Sequence, residues 1–328
     1  MHTFKNRIIV LVTILMSLLL AGQIPSSHAQ TSPDGQRIVV DSPGTGLWDA
    51  ARRNNLPISS QVNSADSGAL IYTDGMAWMQ FRSEQLMPLM AYALGGTLLA
   101  ILLFWILRRG IPIAGGESGK RMQRTVLYER IVHWTMTSIF LVLAITGFII
   151  LYGRSLLIPI MGIETYGMLA ATSKTLHNLS GIIFPLTILL MFAQFVGRNI
   201  YEKGDLRWLA RGGGIVTDAH QSAGFFNMGE KILFWLVMLF GLLMSVSGLI
   251  INFQVFDLAR ADMILLYQVH AIVAGAFVML IIGHIYLAVA GVKGTLSSMT
   301  DGTVDENWAK AHHDRWYAEA KSGRESKK

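Results

Sequence analysis

The 328-residue chain is 52% hydrophobic and only 15% charged, whereas about a quarter of the residues of an ordinary soluble domain carry charge; the composition points to an integral membrane protein, and its long apolar runs to an all-α one. Its net charge of +6 falls between apolar runs, where basic residues report orientation in the bilayer rather than nucleic-acid binding. There is no cysteine, which excludes disulfides, thiolate-held iron–sulfur clusters, c-type haem attachment and cysteine nucleophiles within this chain. Any redox group must be held by histidine or methionine.

In chain order, residues 1–29 read as a secretory signal, with Lys5 and Arg7 at the basic start, an apolar run over 8–21, and Ser27, His28 and Ala29 as a small-x-small cleavage site. The run is short for a spanning helix, which favours cleavage over an uncleaved first helix. Residues 30–86 form a polar extension with turn signals at Ser32-Pro33-Asp34-Gly35 and Ser42-Pro43-Gly44 and brief strands at 38–40 and 69–72. Following a signal, it is expected on the periplasmic side, as a docking surface for a partner. An additional transmembrane helix is expected over 87–110, a bundle over 122–292, and a cytoplasmic tail over 293–328. The apolar segments lie at about 88–107, 131–153, 175–196, 231–252 and 265–291, each long enough to cross a bilayer.

Basic residues orient these segments. Arg108, Arg109, Lys120, Arg121 and Arg124 follow the first segment, and Arg198, Lys203, Arg207 and Arg211 come two crossings later. The Lys- and Arg-rich tail comes two crossings after that, so all three basic regions face one side, the cytoplasm. The expected location is the bacterial inner membrane, crossed five times, with the mature amino end periplasmic.

A ring nitrogen in hydrocarbon is costly without a partner, so histidine in a spanning helix points to function. Of nine histidines, four fall in the expected spans. His270 and His284 lie on one helix, on faces within roughly 40° of each other and separated by a rise of about 21 Å, which suits one ligand for each of two haems. Topology supplies partners by depth: His177 with His270 at the outer level, His133 with His284 at the inner. Gly147, Gly181, Gly275 and Gly283 fall near the ligand levels, and Gly248 lies in the third helix of the core bundle; a porphyrin needs close backbone approach, though ordinary helix packing uses glycine equally. Two histidines complete the axial coordination of each iron, which leaves electron transfer as its role. The expected architecture is a four-helix dihaem cytochrome b bundle plus the additional amino-terminal helix, holding two haem b.

With these ligands in place, residues 122–319 resemble the gamma (cytochrome b) subunit of respiratory formate dehydrogenases. The matching stretches are Glu129-Arg130-Ile131-Val132-His133-Trp134, Thr175-Leu176-His177, Asn227-Met228-Gly229-Glu230-Lys231, Val269-His270-Ala271 and Gly283-His284-Ile285-Tyr286. In the tail, Trp308-Ala309-Lys310 leads into His312-His313-Asp314-Arg315-Trp316-Tyr317. The resemblance implies a complex in which a molybdenum or tungsten catalytic subunit oxidises formate outside the membrane. An iron–sulfur subunit then passes electrons through the outer and inner haems to quinone near the cytoplasmic face, so this chain has no catalytic residue for formate itself. It also implies a quinone site at Asn227, Gly229 and Glu230 beside His284. The family pattern has glutamine where this chain has Glu230, which is open to a proton role or to a solvated position at a helix start, and Asn227 is open to a capping role. The leading segment 1–110 departs from the compact four-span form. The rival readings are the cytochrome b subunit of a membrane-bound hydrogenase or related molybdoenzyme, and a transporter or structural anchor with packing histidines.

Overall fold

The computed structural model describes residues 73–214, 221–254, 256 and 258–323. The signal segment, most of the 30–86 extension with both brief strands, and His2, His28 and His220 lie outside the described residues. Five helical runs among the described residues are long and apolar enough to cross a membrane: Gly75–Arg108, Leu127–Leu156, Ile158–Arg198, Met228–Phe253 and Arg260–Gly291.

The first run is built from α1 (Thr73–Gln80), a π-helical turn (Phe81–Leu86) and α2 (Met87–Arg108). Helix therefore begins well before the expected boundary at 87. The extension's end is drawn into the helix because it has partners: Trp78 stacks on Tyr267, and the Arg82 guanidinium donates to the Ile150 and Leu151 carbonyls at 2.8 and 2.9 Å. Lower down, the Tyr152 hydroxyl donates to the Met87 carbonyl, and Phe104 meets Tyr286 edge-on.

After β1 (Arg121–Gln123) come α3 (Leu127–Leu156) and α4 (Ile158–Phe195). The segment 154–174, expected as a loop, is helical, with only Leu157 between the two helices. Gly162 takes φ 80° there, and the helix bends at a conformation that other residues avoid. Next are the short α5 (Asp205–Ala210), then α6 (Met228–Phe253) and α7 (Arg260–Tyr286). The tail contributes α8 (Ser297–Thr300), β2 (Thr303–Asp305), α9 (Glu306–His312) and α10 (Asp314–Lys321). β2 pairs antiparallel with β1, Arg121 opposite Asp305 and Gln123 opposite Thr303, which ties the tail to the entry of α3.

Two cores result. In the bundle, Met136, Ile139, Phe184, Ile188, Val237 and Phe277 pack together from α3, α4, α6 and α7. At the tail end, Ile113, Val304, Trp308, Ala309 and Trp316 form a separate cluster. Large apolar side chains such as Leu107, Ile145, Leu189 and Leu242 point outward, as lipid-facing residues do.

Candidate functional site

The four histidines of the spanning helices meet in two pairs. At the tail end, His133 on α3 and His284 on α7 have ring centroids 6.3 Å apart, the planes inclined at 65°. At the other end, His177 on α4 and His270 on α7 are again 6.3 Å apart, at 71°. Phe277 stands midway along α7 between the two histidines, within 4.8 to 6.5 Å of the Phe140, Phe184 and Phe240 rings. An aromatic layer thus separates the pairs. The local sequence fixes the entry of α3: Glu129 accepts from the Val126 backbone N–H at 2.9 Å and from Arg198 at 2.6 Å. His133 follows one turn later.

Two hydroxyls hold the far pair. The Thr146 Oγ1 lies 2.9 Å from His177 Nδ1 and the Ser247 Oγ lies 2.8 Å from His270 Nδ1. Each hydroxyl donates its one proton to the carbonyl a turn back, Thr146 to Val142 and Ser247 to Leu243. It therefore accepts at the histidine, so Nδ1 carries the hydrogen and Nε2 keeps its lone pair. The next residue on each helix is a glycine. A Cβ at Gly147 would stand 3.3 Å from His177 Cε1, and one at Gly248 3.3 Å from His270 Cε1. These glycines make room for the imidazoles themselves, not only for a macrocycle. Gly275 faces the Met90 side chain of α2, so it serves helix packing. A Cβ at Gly181 or Gly283 would touch nothing within 4 Å. At the tail-end pair, His133 Nδ1 is buried with no hydrogen-bond partner.

The three residues expected around a quinone all lie at the start of α6. Asn227 caps the helix: its side chain accepts from the Glu230 N–H at 3.0 Å, while Glu230 Oε2 accepts from the Asn227 N–H at 2.8 Å. This reciprocal arrangement is a capping box. Gly229 lies under the Trp208 indole, 3.1 Å from where a Cβ would be. Glu230 also stands 3.8 Å from His313 Nε2, and its side chain is 32% exposed, so it is not freely solvated.

His313 has a structural place in the tail. It is buried, with Nδ1 donating to the Gly224 carbonyl at 2.9 Å and Nε2 therefore accepting from Arg124 at 3.3 Å. Burial pushes its pKa well below the usual histidine value, and the Arg124 charge acts the same way. Arg124 itself sits over the rings of Phe225, Trp308 and Trp316 at 4.6, 4.8 and 4.9 Å; burial lowers its pKa to about 10. Sequence reasoning missed Arg124, Thr146 and Ser247 as site-building residues. The usable signal was the repeated hydroxyl–glycine dipeptide, Thr146-Gly147 and Ser247-Gly248, inside two apolar helices.

The family model described as prokaryotic cytochrome b561 matches residues 124–302. The chain belongs to the prokaryotic cytochrome b561 family. Among its relatives is the cytochrome b556(fdo) subunit of formate dehydrogenase from Escherichia coli K12, 32% identical over 215 residues, which cover 63% of this chain and 99% of that one. The nitrate-inducible formate dehydrogenase cytochrome b556(Fdn) subunit of the same organism is 30% identical over 62% of this chain and 93% of its own. The formate dehydrogenase cytochrome b556 subunit of Haemophilus influenzae is 30% identical over 58% and 79%. This protein is accordingly a multi-pass membrane cytochrome b with an electron-transfer role, and haem b is its cofactor.

The histidine pairs fit that group. Two imidazoles coordinating one metal from opposite sides, each through a nitrogen about 2 Å away, put their ring centroids roughly 6 Å apart. Both pairs show that spacing. No group of three or more potential metal-ligating side chains occurs among the described residues, and a macrocycle that supplies its own equatorial nitrogens needs only two. The Nε2 atoms of His177 and His270, left with their lone pairs because Nδ1 is committed to a hydroxyl, fit such a cofactor.

Proposed function

We propose that this cytochrome b is the membrane subunit of a formate dehydrogenase, conducting electrons from a periplasmic iron–sulfur subunit, itself fed by the molybdenum or tungsten catalytic subunit, to quinone near the cytoplasmic face. The observation that carries the reading is the pair of matched bis-histidine sites. His177 and His270 would hold the outer haem, and His133 and His284 the inner one. Held by two histidines, a haem would supply a one-electron centre suited to electron transfer rather than to bond-making. The names of the relatives support the formate assignment.

The chain's own residues do the rest. α7 carries one ligand to each level, seven residues on either side of Phe277, about 10 Å of helix rise each way. Thr146 and Ser247 hold the outer imidazoles by Nδ1. Asn227, Gly229 and Glu230, at the start of α6, would border the quinone site. Quinone reduction there consumes two electrons and two protons, and protons taken up on the side opposite to formate oxidation separate charge across the membrane. The basic regions behind Arg108, Arg198 and the tail support this orientation.

The test is spectroscopic. The purified protein should show reduced-minus-oxidised b-haem bands and bind two haems per chain. His177→Ala should lose one haem and His133→Ala the other. Absence of b-haem bands, or the same haem lost in both variants, overturns the ligand assignment. A hydrogenase in place of formate dehydrogenase copurifying with the chain overturns the choice of complex.

A further inference from the structure

The two histidine pairs are alike in spacing but not in what supports them. Both outer rings donate Nδ1–H to a buried hydroxyl, Thr146 and Ser247. The inner ring of His133 has its Nδ1 buried without a partner. A hydrogen bond from the distal imidazole N–H makes the ring a more basic ligand, which stabilises the oxidised metal and lowers its reduction potential.

We infer that Thr146 and Ser247 are positioning residues that hold the outer haem at the lower potential, making inward electron transfer downhill. The inference rests on the ligand assignment above. One electron leaves the reduced outer site and enters the oxidised inner site, and no atom or proton moves between them. The hydroxyls are well suited to this because each is itself polarised: its proton is committed to a carbonyl of its own helix, Val142 at 2.6 Å for Thr146 and Leu243 at 2.7 Å for Ser247. That leaves the hydroxyl lone pairs to face the rings, which sets Nδ1 as the protonated nitrogen of both. The glycines that follow, Gly147 and Gly248, let the rings come down to the hydroxyls.

The experiment is an optical redox titration of the purified full-length protein and of Thr146→Val, Ser247→Ala and the conservative Thr146→Ser and Ser247→Thr. The wild type should resolve two components, and His177→Ala should remove the lower one. Thr146→Val and Ser247→Ala should each raise the lower component, changing the oxidised-to-reduced ratio at fixed potential by several-fold to tenfold, roughly 59 mV at the upper end. The higher component should stay in place, and the hydroxyl-retaining variants should titrate like the wild type. Unchanged potentials with both haems retained, movement of the higher component, or equal shifts in Thr146→Ser and Thr146→Val would each overturn the inference. Should Thr146→Val fail to retain haem, Ser247→Ala carries the same test on the other ring. The ligand assignment fails separately, if His177→Ala keeps both haems.

Discussion

Adding bulk beneath an outer imidazole tests how tightly its position is set. At Gly147 an added Cβ stands 3.3 Å from His177 Cε1 and 3.8 Å from Nδ1, and at Gly248 it stands 3.3 Å from His270 Cε1. Such contacts are tighter than ordinary carbon–carbon separations of about 3.5–4.0 Å, so alanine displaces the ring by a few tenths of an ångström. That stays within the roughly 0.5 Å tolerance of a coordination site, though it stretches the 2.9 Å bond to Thr146. Valine adds methyls that reach further, and overpacking of this kind costs about 1–3 kcal/mol at the point where the ring must align with its partner 6.3 Å away. Gly147→Ala and Gly248→Ala should therefore keep two haems per chain, while Gly147→Val and Gly248→Val lose the outer one. Gly95 and Gly96 on α2, where a Cβ would meet nothing within 4 Å, serve as controls. The assay is haem stoichiometry per polypeptide with difference spectra. Full haem in Gly147→Val, with the bands unshifted, would refute the placement of the ring.

Further expectations concern the tail. Trp308, 2% exposed, is the centre of the tail cluster and one wall around Arg124; Trp308→Ala should cost about 3–5 kcal/mol and open Lys310, Arg315 and Lys321 to trypsin while the bundle keeps its haem. His313 titrates in the other half of the same contact. Its folded pKa lies below the usual 6.5, so its contribution to stability is complete above that value and is lost as the pH falls beneath it. The groups facing it are Arg124, Glu230 and His312. Hydrogen-exchange protection over residues 303–321, corrected for the intrinsic pH dependence of amide exchange, should fall between pH 7 and pH 5, and His313→Gln should flatten that dependence; protection independent of pH in the wild type would contradict it.

How much was legible follows from what each feature depends on. The spans and the histidine levels are set by apolar length and helical rise, which are local properties of the chain, and they could be read directly. The helix through 154–174 was not legible because it depends on tertiary packing: Tyr166 of α4 lies against Gly153 of α3, and a short connection lets the two helices fold back on each other. The early start of the first helix rests on Trp78 and Arg82 finding partners on α7 and α3. Thr146 and Ser247 were hidden for a subtler reason. A hydroxyl in an apolar helix normally bonds the carbonyl a turn back, and these two do so; only the fold shows that their remaining lone pairs face a histidine. Arg124 reads in sequence as one more orienting cation, and nothing local says that three aromatic rings from two distant segments will enclose it.

Glu230 is open to a proton role or to a place at a helix start, and the geometry decides which of the two readings to test. Oε2 is engaged by the Asn227 N–H, so the carboxylate serves the helix start. Its one titratable neighbour on the tail, His313, is a poor relay: Nδ1–H is bound to the Gly224 carbonyl, and Nε2 faces an arginine that never gives up its proton at physiological pH. A glutamine carbonyl can accept the same N–H. Glu230→Gln should therefore leave the fold, haem content and quinone-reduction rate unchanged, whereas Glu230→Ala removes half of the capping box and should destabilise the start of α6 by about 1 kcal/mol. Haem reduction by an artificial donor and quinol formation, measured side by side, separate the steps. If Glu230→Gln reduced its haems normally but made quinol tenfold more slowly, the carboxylate would be delivering a proton by a route that does not pass through His313.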